Sequence, residues 1–502
     1  MAQLHEKIHE LALSRSFFFP SNEIYGQTAG FYDYGPTGTL LKKKIENLFR
    51  NMFIRQEGFH EIEAAMITPE IVLKASGHVD NFTDPVCECK KCKTRVRADS
   101  FVENEVKNYK WDGKIESLDS MIETNSLTCP SCKGELDKTR VFNLMFKTGI
   151  GAEQTASYAR PETAQGTFTA FPRIFRNHGT KLPLAVAQIG KSFRNEVSPR
   201  KGLVRMREFT QMELEYFFSP KNDKFENYKK YAKEKMRFMI NGKIEVKTTE
   251  QALKEGIAVN EIMAYFLAKE WVFYKMCGID QSRVYFRVLG KEETPHYSKK
   301  NIDMEIETSY GIIELNGNAY RTDFDLSQHK KFSGKEIEVF IEEEKTKIIP
   351  HVFEAALGVD RLVFSVLEHC FRDKKEMKQN AEQKTENVKE WEWFDFPPII
   401  APYECALFPL MKKDGLSEKA SEICEKLREN YNVFYQESGS IGKRYARSDE
   451  IGVPYAITID HQTLEDETVT IRYRNDGKQE RIKVADLKEK INNNIKNGVV
   501  AL

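Results

Sequence analysis

Apolar residues at Leu41, Ile45, Leu48, Phe49, Met52 and Phe53 recur at three- and four-residue intervals, which predicts an amphipathic helix over 36–57. Pro36 suits its first turn and Gly58 ends it. FHEIEAAMIT then reads as a strand, and Thr68–Pro69 as the N-cap and first position of another helix. PLAVAQIGKSFRNEV and MREFTQMELEYFF alternate as antiparallel strand partners would. Alternation puts Gln188, Arg194 and Glu196 on one face of the first strand, and Arg207, Phe209, Gln211, Glu213 and Glu215 on one face of the second. Met212, Leu214 and Tyr216 take the opposite face, where they can pack on a core. Residues 221–280 read as mostly helical, and VYFRV, MEIET and IIELNG as strands. From Gly358 a helix is predicted with Val359, Leu362, Val363, Val366 and Cys370 as its buried stripe. At 100° per residue, Arg361 points away from that stripe.

Residues 372–392 break the pattern. They hold 12 charges in 21 positions, six of each sign, and read as a solvated linker or a frayed helix. Beyond them, 396–502 read as strand, helix, three strands and a helix, a compact α/β module. The 502 residues suffice for two to four domains. Lys+Arg and Asp+Glu both total 76, so overall charge gives no support for a nucleic-acid partner and only local basic patches can supply it. No apolar run approaches the roughly 20 residues of a membrane span, and MAQLHEKIHELALSR lacks a signal-peptide core; a cytoplasmic home is expected.

Five of the nine cysteines fall in the polar stretch 86–140. Cys89-x-x-Cys92 and Cys129-x-x-Cys132, with 36 residues between the pairs, match a four-thiolate structural zinc site. Cys87 is a competing fifth thiol, and a redox cluster is the alternative.

The charged strand face is the other candidate for chemistry. An arginine there can fork onto phosphate oxygens, Phe209 offers a flat surface for a purine, and glutamates can anchor an ammonium group. The alternative is a half-exposed hairpin with cross-strand ion pairs. Arg361 sits in a first helical turn, where the helix dipole disfavours cations. Its bland reading is a solvated arginine near Glu368.

Together these segments resemble the three signature motifs of class II aminoacyl-tRNA synthetases: the helix–strand ending at Pro69, FRNE with VRMREF, and GVDR before a helix. FYDYGP, CKKC followed by VRAD, RPETAQG, QIGKSFRNEVSPR, REFTQMELEYF, RTDFDL and SGSIGKRYARSDEIGVPYAITID narrow the resemblance to the homodimeric glycyl-tRNA synthetases. It implies an α+β fold: a six- or seven-stranded antiparallel sheet flanked by helices, a zinc-binding insertion, and a C-terminal α/β anticodon-binding domain. The implied division is catalytic domain 1–85 and 141–371, cysteine-rich insertion 86–140, helical insertion about 221–280, linker 372–395 and anticodon-binding domain 396–502.

The implied reaction joins glycine to tRNA(Gly) through a glycyl-adenylate made from ATP. Carried over by motif, Arg194 binds the α-phosphate, Phe209 and Arg361 sandwich the adenine, Glu196 holds its amino group and Glu314 ligates Mg²⁺. Asn195, Val204, Arg207, Glu208, Leu315, Gly358, Val359 and Asp360 complete the implied ATP site. Glu162, Glu213 and Glu354 surround glycine, with Arg97, Phe209, Gln211, Arg321 and Ala356 nearby. Glu354-Ala355-Ala356 departs from the family's usual Glu-Pro-Ser. Lys443, Arg444 and Arg447 are expected to touch the tRNA backbone. Two rivals stay open: a non-catalytic nucleic-acid-binding relative, and a class II synthetase for another amino acid.

Overall fold

A computed structural model describes residues 4–500 apart from 180, 200, 291, 295–296, 343–344 and 374–390. The architecture is built on one large sheet. In chain order its strands are β1 (His60–Ile62), then, after the insertion strands β2 (Thr83–Glu88), β3 (Arg95–Arg97) and β4 (Arg140–Asn143), β5 (Leu184–Phe193) and β6 (Glu208–Phe218). They continue as β7 (Lys235–Ile240), β8 (Lys243–Thr248), β9 (Val284–Val288), β10 (Lys300–Thr308), β11 (Gly311–Thr322) and β12 (His351–Gly358). The spatial order is β8-β7-β9-β10-β11-β12-β6-β5-β1. From β9 to β5 every pairing is antiparallel, which gives the six-stranded core that the motifs imply. Parallel pairings of β1 on β5 and of β7 on β9, with β8 antiparallel to β7, bring the sheet to nine strands.

The two faces of this sheet differ as the alternation requires. Met212, Leu214 and Tyr216 of β6 join the main apolar core with helices α1 (Pro36–Phe49), α3 (Glu261–Met276) and α4 (Val359–Cys370). On the other face, Phe217 packs with Phe168 and Phe171 of α2 (Ala164–Asn177) at one end. The other end of that face is left open as a cavity.

Several expectations need correction. FHEIEAAMIT is not one strand: β1 ends at Ile62, and Ile67–Pro69 pairs in a separate three-stranded sheet. Side chains take over the backbone groups between, since Gln188 Oε1 accepts from Ala64 N and Arg160 Nη1 donates to Ala64 O. The next helix starts at Glu70 with Pro69 itself as its cap, because Thr68 is paired in the strand. The 221–280 segment contains the β7–β8 hairpin, turned at Asn241–Gly242 where both residues have positive φ, as a tight hairpin wants. Its helix α3 is apolar nearly all round and lies inside the core.

The 86–140 insertion folds as β2, β3 and β4 with two short helices. Most of the 372–392 linker lies outside the described residues; its ends meet where Phe371–Arg372 pairs with Trp393–Phe394. The C-terminal module is a five-stranded sheet in the order Val433–Tyr435, Cys405–Pro409, Tyr455–Ile459, Thr468–Tyr473, Gln479–Lys483. It contains a helix, α5 (Ile441–Ile451), and a last strand that the sequence pattern missed. Arg474 holds it to the core by donating to Asp395 (2.7 Å) and to the Phe396 carbonyl (2.9 Å).

Candidate active site

The cavity, about 350 Å³ in volume, lies on the polar face of β6, β11 and β12. Strand pairing sets its floor: Glu213 sits opposite Ala356, and Ala356 opposite Gly317. Phe209, Gln211 and Glu213 rise from β6, Glu354 and Ala356 from β12, and Arg321 from β11. Glu162 enters just before α2, Arg194 and Glu196 follow β5, and Arg361 stands in the first turn of α4. Two arginines widely separated in the chain thus line one cavity, and one of them lies over an aromatic ring. The Arg194 guanidinium carbon is 5.3 Å from the Phe209 centroid. Arg361 donates to the carbonyls of Val204 (3.2 Å) and Glu314 (2.8 Å). Asp360 beside it accepts from Tyr34 Oη (2.6 Å) and Thr210 N (2.5 Å), which pins the start of α4 to β6.

The deep end is acidic. Arg321 is fully engaged there: Asp325 takes it at 2.7 and 2.9 Å, Glu354 at 3.0 and 3.1 Å, and Tyr297 stacks at 4.3 Å. Glu213 accepts from Thr163 Oγ1 and from Gln211 Nε2 (2.6 Å). Burial, with Glu354 and Glu162 nearby, pushes its carboxyl up to about 8. Burial also pushes Glu354 up to about 7, against the pull of Arg321. Glu215, directly across from Glu354, is completely buried and held well above the usual range by burial, Glu213 and Glu354. Burial works to raise Glu162 too, yet His78 (3.3 Å), Arg321 and Gln165 hold it below the carboxylate range. Glu162 and Glu354 thus both draw on Arg321, which Asp325 already holds, an arrangement that suits a small cation.

The rim carries a second acidic pair. An added Cβ on Gly317 would lie 3.5 Å from Asp303 Oδ1 and 3.9 Å from Glu314 Oε1, so both carboxylates face one gap. Burial and Glu314 push Asp303 up to about 7. Sequence reasoning missed Asp303; the available signal was a carboxylate on an interior strand facing a glycine. It also missed His78, Thr163 and Tyr297, whose partners come from distant segments.

Not every expected residue reaches the cavity. Arg97 is turned into a bidentate pair with Asp99 and approaches Asp84 at 3.4 Å, outside the lining. Arg207 donates to the carbonyls of Glu196 and Ala29, Glu208 pairs with Lys191, and Val359 is buried in the core. Asn195 contributes its backbone N–H to the Leu144 carbonyl. Glu196 lines the cavity but is held by Arg205 at 2.6 Å, and Val204, Leu315, Gly358 and Ala356 also line it.

Residues 146–370 match the model of the tRNA synthetase class II core domain (G, H, P, S and T), and residues 404–494 that of the anticodon binding domain. Along almost its whole length the chain is similar to proteins named glycine–tRNA ligase. With that of Methanocaldococcus jannaschii it shares 37% identity, over 98% of this chain and 99% of the other. With that of Archaeoglobus fulgidus it also shares 37%, over 96% and 95% of the two chains. The chain belongs to the glycine–tRNA ligase family. Its class II core contains the cavity, and its anticodon-binding domain is the C-terminal module.

Two further sites expected of a glycine–tRNA ligase lie away from the cavity. The Sγ atoms of Cys89, Cys92, Cys129 and Cys132 all lie within 4.8 Å of one another, Cys89 to Cys132 at 3.5 Å and Cys92 to Cys129 at 3.6 Å. A tetrahedral zinc with Zn–S bonds of about 2.3 Å needs sulfurs about 3.8 Å apart, so the donors fit. A side chain on Gly134 would crowd Cys89 and Cys132 at 3.2 Å. Cys87 is not in this group; its buried thiol is pushed up to about 11, with its Sγ 3.9 Å from the Val96 carbonyl.

On α5, the expectation for Arg444 is corrected. It is 2% exposed and donates to the carbonyls of Pro409 (2.5 Å), Leu410 (3.1 Å) and Gln436 (3.3 Å), so its guanidinium is buried and faces inward. It clamps the ends of two neighbouring strands, while Lys443 is exposed. Arg444→Met should therefore lower stability by about 1–3 kcal/mol in denaturant unfolding, the cost of orphaned buried polar groups. Lys443→Ala should stay within about 0.5 kcal/mol of the parent.

Proposed function

We propose that the protein activates glycine with ATP, releasing diphosphate, and passes glycine from the adenylate to the terminal adenosine of tRNA(Gly), releasing AMP. The observation that carries this reading is a single cavity lined by Arg194, Phe209 and Arg361 and by Glu162, Glu213 and Glu354, with the Arg194 guanidinium over the Phe209 ring. A purine on Phe209, capped by Arg361, directs the phosphates along the floor toward Arg194. The glycine ammonium rests among the three glutamates, and a carboxylate oxygen then faces the α-phosphorus. Attack there forms the mixed anhydride and breaks the bond to the β-phosphate. Arg194 stabilises the charge that grows on the α-phosphate oxygens, so positioning and charge neutralisation do the work. Asp303 and Glu314 are the residues to hold Mg²⁺, which would neutralise phosphate charge. Glycine offers no side chain to grip, so selection falls on its ammonium and on the lack of room for anything larger.

The same reading assigns the catalytic role to 1–85 and 141–371, a structural zinc to the 86–140 module, and the anticodon to 396–502. It makes Lys443 and Arg447 the basic residues of α5 nearest to RNA. It also makes the chain a cytoplasmic homodimer. Met66, Ile67 and Ile71, about half exposed beside the edge strand β1, supply apolar surface for a second copy. Among the described residues no helix is long and apolar enough to cross a membrane.

Arg194→Ala should fold normally and lose about 10²–10³ in glycine-dependent ATP–diphosphate exchange, as removal of a preorganised donor does elsewhere. A folded variant at the parental rate refutes its role. Metal analysis should find about one zinc per chain, retained in Cys87→Ser and lost in Cys129→Ser; freshly reduced protein without zinc would refute the metal assignment.

A further inference from the structure

We propose that Phe82, at the root of the cysteine-bearing insertion, is a positioning residue for Arg194, so that the seat of the insertion on the core belongs to the nucleotide site. This rests on the reading of Arg194 given above. The Arg194 guanidinium lies between two rings, its carbon 5.3 Å from the centroid of Phe209 and 5.3 Å from that of Phe82. Its Nε donates to the Pro161 carbonyl at 3.1 Å. Orientation of the planar cation therefore falls to two aromatic faces and one carbonyl oxygen. A cation over a ring face is attracted by the ring quadrupole, and a guanidinium stacks there while its edge stays free to donate.

Phe209 is part of the sheet, but Phe82 is not. It follows the helical turn His78–Asn81 and immediately precedes β2, the strand that leads to Cys87 and Cys89. Its carbonyl accepts from Leu144 N at 3.0 Å, and the Leu144 carbonyl accepts from Asn195 N at 2.6 Å. Phe82 and Leu144 flank the first pair of the insertion, Thr83 opposite Asn143. The neck of the insertion is thus bonded to the residue next to Arg194. A second link lies further out, where Ser198 Oγ donates to the Arg95 carbonyl at 3.1 Å. The same turn reaches the acidic end as well. His78 stands edge-on to Phe82, centroids 5.5 Å apart, and its Nε2 is 3.3 Å from Glu162. One short turn touches both halves of the cavity.

Phe82 also packs against Leu73, Met145 and Tyr158, so a purely structural role must be separated from positioning. Phe82→Leu keeps the apolar fill and removes the π face, whereas Phe82→Tyr keeps both. Exchange kinetics on the full-length protein should show kcat for Phe82→Leu reduced about 3- to 30-fold, the range of a desolvated cation–π contact, with the glycine KM unchanged. Phe82→Tyr should restore the rate. In an Arg194→Ala background, Phe82→Leu should cost nothing further, because the two act as one unit. The inference is overturned if Phe82→Leu runs at the parental rate, if Phe82→Tyr is equally slow, or if the loss persists without Arg194. If Arg194→Ala alone keeps the parental rate, the reading of Arg194 falls and this inference falls with it.

Discussion

The pairing of Arg321 with Asp325 and Glu354 is the interaction on which the acidic end of the cavity depends. Both partners are buried, and a buried guanidinium is tolerable only when its donors are satisfied. Because Arg321 is spoken for, Glu213 and Glu215 crowd the same face, with Arg194 as a further cation acting on Glu213. Burial and mutual repulsion then favour their protonated forms. A fixed frame thus keeps these protons on in the free protein, and a ligand bearing a positive charge would favour their loss. The polarity of the cavity follows: acidic where Glu162, Glu213 and Glu354 line it, cationic at the end shared by Arg194 and Arg361.

The frame holds still because the reverse face of the same strands is apolar and closely packed. Met212 and Leu214 alternate with Gln211 and Glu213, and helix α3 fills the space behind them. Even the charged residues of α3 are absorbed there: Lys269 pairs with Glu57, and Glu270 accepts from Asn316 (3.0 Å) and Asn318 (2.9 Å). Those asparagines belong to β11, the strand that presents Gly317, Ala319 and Arg321 to the cavity. Fixing both faces of one strand places the site on rigid elements, as preorganised charge stabilisation requires.

Strand alternation made the β5–β6 face legible in the sequence, since period-two patterning alone separates Phe209, Gln211 and Glu213 from Met212, Leu214 and Tyr216. Helical periodicity did the same for Arg361. What escaped was set by long-range partners. Nothing local shows that Arg97 turns to Asp99, that Arg444 turns inward to three carbonyls, or that His78 meets Glu162 across 84 positions of chain. Asp303 was hidden because its significance comes from a register that sets it opposite Gly317. The Asn241–Gly242 hairpin was legible in principle, but the strongly helical residues after it masked the signal.

A glutamate cluster built in this way exchanges protons for an ammonium group. Glu213, pushed up to about 8, holds a proton near neutral pH in the free protein, while Glu354 stays paired with Arg321. An ammonium group favours the ionised form of Glu213, so binding must expel a proton, and affinity must rise with pH through 7 to 8 until the ammonium itself deprotonates. Calorimetric titration with glycine at pH 7, in buffers of different ionisation enthalpy, measures this directly. The expected result is a net release approaching one proton per site, much reduced in Glu213→Gln. Glycine binding with no proton release, and with an affinity independent of pH between 6 and 9, would contradict it.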